Sequence, residues 1–139
     1  MLELTAILKE HGLKVTPQRL SIFRMLRNTN SHPNAEAIYK ELQEEHPTMS
    51  LATVYKTVDT FVQCGLIQQL NVGEDSYRYD ADTSDHSHIK CTVCGQVSDL
   101  PTLSHLEALR QEVQNSTNFI LSHEQLYFYG TCTSCQESH

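Results

Sequence analysis

The sequence predicts an α+β fold in two parts, residues 1–81 and residues 82–139. Three observations predict it. Four segments of the first part carry apolar residues at helical spacing and end at helix-breaking residues. Two β-prone runs then flank Gly73-Glu74-Asp75, as in a hairpin. The second part opens and closes with a Cys-x-x-Cys pair, Cys91/Cys94 and Cys132/Cys135, enclosing strand- and helix-patterned chain.

Residues 2–11 place Leu2, Leu4, Ala6, Ile7 and Leu8 on a helix, with Gly12 as its C-terminal stop. Thr16-Pro17 starts the second, a threonine N-cap before a proline whose missing N–H costs nothing there. Ile22, Phe23 and Leu26 form its inner face through about Arg27, and Asn28 to Asn30 break it. Ser31-His32-Pro33 leads into a third helix, with Ala37, Ile38, Tyr39 and Leu42 inward. Glu36, Lys40, Glu41, Glu44 and Glu45 face outward, and Pro47 is the expected end. Ser50 caps a fourth helix over residues 51–62, whose Leu51, Val54, Val58 and Phe61 are inward. Thr53, Tyr55, Lys56 and Thr57 form its other face, and Gly65 closes it. Strands are expected at 66–72 and 76–81. Helices two to four followed by a hairpin give the order of a winged helix-turn-helix, with the fourth helix as the reading helix and the hairpin as the wing.

Residues 81–85 are short, polar and acidic, and read as a hinge. Beyond them come an extended His86–Lys90, a Cys91–Gly95 knuckle and a strand at 96–100. A helix bearing Leu103, Leu106, Leu109 and Val113 follows, then a strand from about Phe119 to Tyr129. Fifty-eight residues are few for an independent core, so this part needs zinc, a partner subunit, or both.

Composition narrows the function classes. The net charge is −7, which by itself argues against nucleic acid. The first part carries 8 Lys/Arg against 10 Asp/Glu and the second 2 against 7. Lys14, Arg19, Arg24 and Arg27 cluster in the first, and phosphate binding needs a local patch, not a positive total. No apolar run is long enough to span a membrane. The start Met1-Leu2-Glu3-Leu4 lacks the pattern of a signal peptide, so a cytoplasmic location is expected. Thiols stay reduced there, which favours metal over disulfide for the two Cys-x-x-Cys pairs.

Cys91, Cys94, Cys132 and Cys135 suit one closed tetrahedral zinc site. The alternative is two unrelated thiol pairs. Cys64, at the apolar end of the fourth helix, reads as a packed thiol. His86 and His88 project to one face if extended. Asp80 and Asp99 lie within twenty residues on what read as adjacent strands, and His32 stands at a helix entrance. From the residues alone this is either an imidazole-carboxylate metal site or solvated histidines on an acidic loop. A zinc hydrolase or deaminase is disfavoured: no His-x-Glu precedes a Pro-Cys-x-x-Cys, and four thiolates leave zinc no open position. The chain is expected not to be an enzyme. A zinc-stapled interaction module that does not touch DNA is the reading from a different class.

Val15-Thr16-Pro17-Gln18-Arg19, His32-Pro33, Ser50-Leu51-Ala52-Thr53-Val54-Tyr55, Gly65-Leu66-Ile67, the segment His86 to Gly95, and Tyr129-Gly130-Thr131-Cys132 through Cys135 occur in the order and spacing of one family. Together they resemble the ferric uptake regulator (Fur) family of metal-dependent repressors, over nearly the whole chain. Tyr77-Arg78-Tyr79-Asp80 and Thr83-Ser84-Asp85-His86-Ser87-His88 are most similar to its peroxide-sensing branch.

That resemblance implies a winged-helix DNA-binding domain over 1–81 and a small α/β metal-binding dimerisation domain over 82–139. It implies structural zinc on the four cysteines. A regulatory iron(II) or manganese(II) would be held by His32, Asp80, His86, His88 and Asp99. Asp99 favours the peroxide-sensing branch, because iron sensors usually carry glutamate there; an iron- or manganese-responsive repressor without peroxide sensing is the alternative. A homodimer is implied, and so is double-stranded operator DNA, as an AT-rich inverted repeat. Lys14, Arg19, Ser50, Thr53, Tyr55 and Lys56 are the implied DNA contacts. A further metal site would use Asp85, Glu107 and His123, with Ser87 where a carboxylate is often found. The implied signal is iron-catalysed oxidation of a ligating histidine, His32 or His86, after which the repressor leaves its operator.

Overall fold

The computed structural model describes residues 2–84, 86–101 and 103–137. The chain divides into two compact units, Met1–Ser84 and Asp85–His139.

The first unit contains α1 (Leu2–Glu10), α2 (Pro17–Arg27), α3 (Ala35–Leu42) and α4 (Leu51–Gln63), then the hairpin strands β1 (Gln68–Leu70) and β2 (Arg78–Asp80). Three helices start on side-chain caps. Thr16 accepts the Arg19 N–H, Asn34 the Ala37 N–H and Ser50 the Thr53 N–H, each satisfying a backbone donor the helix leaves open. The helices close on one core of Leu8, Ile22, Phe23, Leu26, Ile38, Leu42, Val54, Val58 and Phe61, which Tyr79 joins from β2. The Phe23 and Phe61 rings meet edge-on at 5.9 Å. Cys64 packs against this core, as expected.

Several boundaries differ from expectation. The third helix ends at Leu42, so Glu44 and Glu45 do not extend its outer face. The Ser21 hydroxyl and the Arg24 guanidinium capture Glu45 instead. Thr57, expected outward, is buried on the inner side of α4. The two wing strands are three residues each, because β1 and β2 pair only from Gln68↔Asp80 to Leu70↔Arg78.

The second unit contains β3 (Ser87–Cys91), β4 (Val97–Leu100), α5 (Leu106–Thr117), β5 (Tyr127–Gly130) and α6 (Thr133–Glu137). Its sheet has the order β4-β3-β5, with β3 antiparallel to β4 and parallel to β5. The strand expected from Phe119 is confined to Tyr127–Gly130. Asn118 ends α5 in a left-handed conformation, and the Gln114 side chain takes the Leu121 N–H, so residues 119–126 form no ladder. Leu103 precedes α5 and does not extend its stripe. Asp80 and Asp99, expected on adjacent strands, lie in separate sheets.

Candidate metal centres

The parallel register of β3 and β5 pairs Cys91 with Gly130, which brings the segments bearing both Cys-x-x-Cys pairs to one end of the sheet. Cys91, Cys94, Cys132 and Cys135 offer four sulfurs that all lie within 4.8 Å of one another. The Cys94 and Cys132 Sγ atoms are 3.9 Å apart. Ligands about 2.3 Å from a tetrahedral zinc are about 3.8 Å from each other, so the donor set fits that ion. The backbone N–H groups of Cys132 and Cys94 donate to Cys91 Sγ and push that thiol down to about 5. Cys135 is pushed up to about 12, chiefly by the Cys132 side chain and by burial. Crowded thiols resist ionising together, and a dication removes that conflict while releasing their protons.

The remaining expected ligands form one cluster in each unit. In the first, His32 Nε2 lies 3.2 Å from Asp80 Oδ2, and both side chains are buried. The Asp82 N–H donates to the other carboxylate oxygen, which fixes the orientation of Asp80. His32 has φ 53 and is followed by proline. That left-handed conformation is disfavoured for a residue with a side chain, and again before proline, costing about 1–3 kcal/mol. Its surroundings therefore hold it in place.

In the second unit, the β3–β4 register sets His88 opposite Asp99. Both His86 Nε2, at 3.1 Å, and His88 Nε2, at 3.2 Å, face Asp99 Oδ1. The two imidazoles tilt against each other at 4.5 Å, and Tyr127 stacks on His88. Nitrogen and oxygen ligands about 2.1 Å from one ion in neighbouring positions are about 3 Å apart, so both clusters have donor spacings that fit a divalent cation.

The further site implied for Asp85, Glu107 and His123 gathers nothing among the described residues. Glu107 and His123 are exposed and join no cluster of three or more ligating side chains, and Asp85 lies outside the described residues.

On α4, Tyr55 and Lys56 are exposed and Thr53 is half-buried. The hydroxyls of Ser50 and Thr53 are 3.0 Å apart within the helix cap. Lys14 is exposed, and its carbonyl accepts from the Arg19 guanidinium.

A polar group that sequence reasoning missed joins α2 to the turn after α3. Ser21 Oγ lies 3.0 Å from Glu45 and 2.8 Å from His46 Nε2, and Arg24 grips Glu45 at 2.7 Å. Glu45 contacts the hydroxyl and not the far nitrogen of His46, so this is no nucleophilic triad. A second missed pair, Glu74 and Arg78, stands in the wing. Its i, i+4 charge spacing was the available signal, in a segment that is not helical.

The profile of the Ferric uptake regulator family matches residues 10–129. The chain belongs to that family. It is 42% identical over 132 residues to the peroxide operon regulator of Bacillus subtilis, covering 94% of this chain and 89% of that protein. The ferric uptake regulator of Vibrio cholerae, described with rearranged DNA-binding domains, superposes with a TM-score of 0.79 at 31% identity, covering 91% of this chain and 98% of the other. The ferric uptake regulator of Pseudomonas aeruginosa, solved with manganese, gives 0.72 at 30% identity, covering 93% and 97%. As a Fur-family member the chain is a metal-dependent regulator, and its four clustered cysteines fit a structural zinc site.

Proposed function

We propose that this Fur-family regulator is a homodimeric repressor of double-stranded operator DNA that senses hydrogen peroxide through oxidation of one of its own histidines. The observation that carries the reading is the double approach of His86 and His88 to a single Asp99 oxygen. The short aspartate side chain meets both imidazoles at the distance required of ligands sharing one ion, and similarity to the peroxide operon regulator of Bacillus subtilis supports the same branch.

In this reading the regulatory metal, iron(II) or manganese(II), takes His32 and Asp80 from the first unit and His86, His88 and Asp99 from the second. Three imidazoles and two carboxylates suit such ions better than thiolates would. Residues 1–81 then act as the DNA-binding domain, and residues 82–139 as the dimerisation domain. Bound iron(II) would activate the peroxide O–O bond beside its ligands, with the net two electrons coming from the imidazole that is oxidised. One peroxide oxygen would end on a ring carbon of His32 or His86, the other leaving as water, and a ligand so altered binds metal less well. The oxidised chain does not return to its starting state, so the event is a signal and not turnover; the chain is a regulator, not an enzyme.

Tyr55 and Lys56 on α4, with Ser50 and Thr53 at its start, would meet bases and phosphates in the major groove. Lys14 and Arg19 would meet the backbone. The dimer reading is supported by α5, which has no buried residue and exposes Leu109 and Val113, and by exposed Phe119, Ile120 and Phe128 nearby in sequence. Apolar surface of this kind is ordinarily covered by a partner.

The test loads the zinc-containing protein with iron(II) without air and adds one equivalent of peroxide. A one-oxygen mass gain on a peptide containing His32 or His86, with loss of binding to an AT-rich inverted repeat, is expected. Unchanged mass with DNA binding intact would leave an iron- or manganese-responsive repressor. The same gel-shift without any metal-dependent binding would favour an interaction module.

A further inference from the structure

We propose that Arg78 is a positioning residue that couples metal capture at His32 to the wing. The inference rests on the reading above, with His32 as a regulatory-metal ligand and the hairpin as part of the DNA-binding surface.

Three successive residues of β2 act on one short loop. Asp80 faces the His32 ring at 3.2 Å. The Tyr79 N–H donates to the Pro33 carbonyl at 3.0 Å. The Arg78 backbone forms an isolated bridge with Asn34, the N-cap of α3. The Arg78 guanidinium extends this contact in both directions. Its Nε and Nη2 grip the two Glu74 oxygens at 2.7 and 3.0 Å, while Nη1 reaches the Ser31 carbonyl at 3.5 Å. Glu74 belongs to the hairpin turn, next to Gly73, whose φ is 83. One planar side chain therefore touches both the residue before the His32 ligand and the turn of the wing. Only a rigid fork of donors spans the two, and an ammonium group does not reproduce that geometry.

The loop is poised to move. His32 holds a left-handed backbone ahead of proline, a conformation that persists only where its neighbours enforce it. A metal drawing on the His32 ring adds to that enforcement, and its loss favours relaxation of residues 31–33. Such relaxation shifts the Ser31 carbonyl away from Arg78, and the wing turn loses part of its anchor. The guanidinium thus gives the wing different support with and without metal, as a coupling between two sites requires.

Manganese(II) is the probe, acting on the full-length zinc-loaded protein, its Glu74→Gln variant and its Arg78→Lys variant. Glu74→Gln leaves Arg78 in place, so it carries the test even if Arg78→Lys folds poorly. Amide exchange is followed by mass spectrometry over peptides covering the loop (29–36) and the wing (71–78). In the wild type, manganese should slow both. In each variant it should slow the loop alone. The gain in affinity for an AT-rich inverted repeat on adding manganese, taken as the ratio to each protein's own metal-free binding, should fall by about fivefold or more. A merely structural role would lower both affinities together. Variants that keep the wild-type slowing of the wing and the full gain overturn the coupling and leave the metal site standing. A wild type whose loop ignores manganese overturns the ligand role of His32, and the coupling with it.

Discussion

Glu45 shows how a single side chain can tie the turn after α3 to α2. The Arg24 guanidinium, and then the Ser21 hydroxyl, hold its carboxyl below the ordinary value of 4.5. A carboxyl whose folded value is depressed adds stability above its unfolded value and loses it as pH falls through the folded one. The wild type should therefore melt slightly higher than Glu45→Gln at pH 6. That advantage should shrink below about pH 4.5 and vanish in stronger acid, as thermal melts across that range would show. The effect is small because both side chains are more than a third exposed to screening solvent. An advantage that persists unchanged into strong acid would show that the charge of Glu45 does not matter. The Tyr79 phenol behaves differently: burial pushes it up to about 12, so it stays neutral while its backbone N–H ties β2 to the loop before α3.

At the scale of elements, α4 depends on its cap. Ser50 accepts the Thr53 N–H at 3.1 Å, and replacing it by alanine leaves that donor to water. Ser50→Ala should lower stability by about 1 kcal/mol in a urea titration, and a change below a few tenths would mean the cap is redundant. The first four helices were legible because each announces itself locally, as Thr16-Pro17 and Ser50 do through capping chemistry, and the Val54, Val58 and Phe61 spacing does through burial, whereas the short α6 over the last Cys-x-x-Cys pair was not expected. The four-cysteine cluster was legible for the same reason, since two Cys-x-x-Cys pairs carry their own chemistry. The end of α3 was not, because Glu45 leaves the helix for partners on α2, and no local signal shows them. The strand from Phe119 was over-read, since the register with β3 begins only at Tyr127. The approach of Asp99 to two histidines depends on the β3–β4 register, which the sequence alone does not specify. Its likeness to a known family supplied that pairing of roles.

At the scale of the whole molecule, the two units depend on different things. The first has a continuous apolar core. In the second, the buried apolar residues among those described are Cys91 and Val97, while Leu109, Val113 and Phe128 lie exposed. On the zinc-bound, dimeric reading, zinc and a second copy would supply what this unit's own core lacks. Stripping zinc with a strong chelator should turn dimers into monomers by analytical ultracentrifugation and loosen the second unit, while the helical signal of the first persists. A dimer that survives complete zinc loss would place the association energy elsewhere. The sheet order carries one more consequence. Cys91 and Cys94 precede α5, whereas Cys132 and Cys135 follow β5. During synthesis a ribosome-bound chain offers only two of the four clustered thiols until that last strand has emerged, and two would hold zinc far less firmly than four. A chain interrupted before Cys132 would therefore lack half of the ligands that a closed tetrahedral zinc site needs.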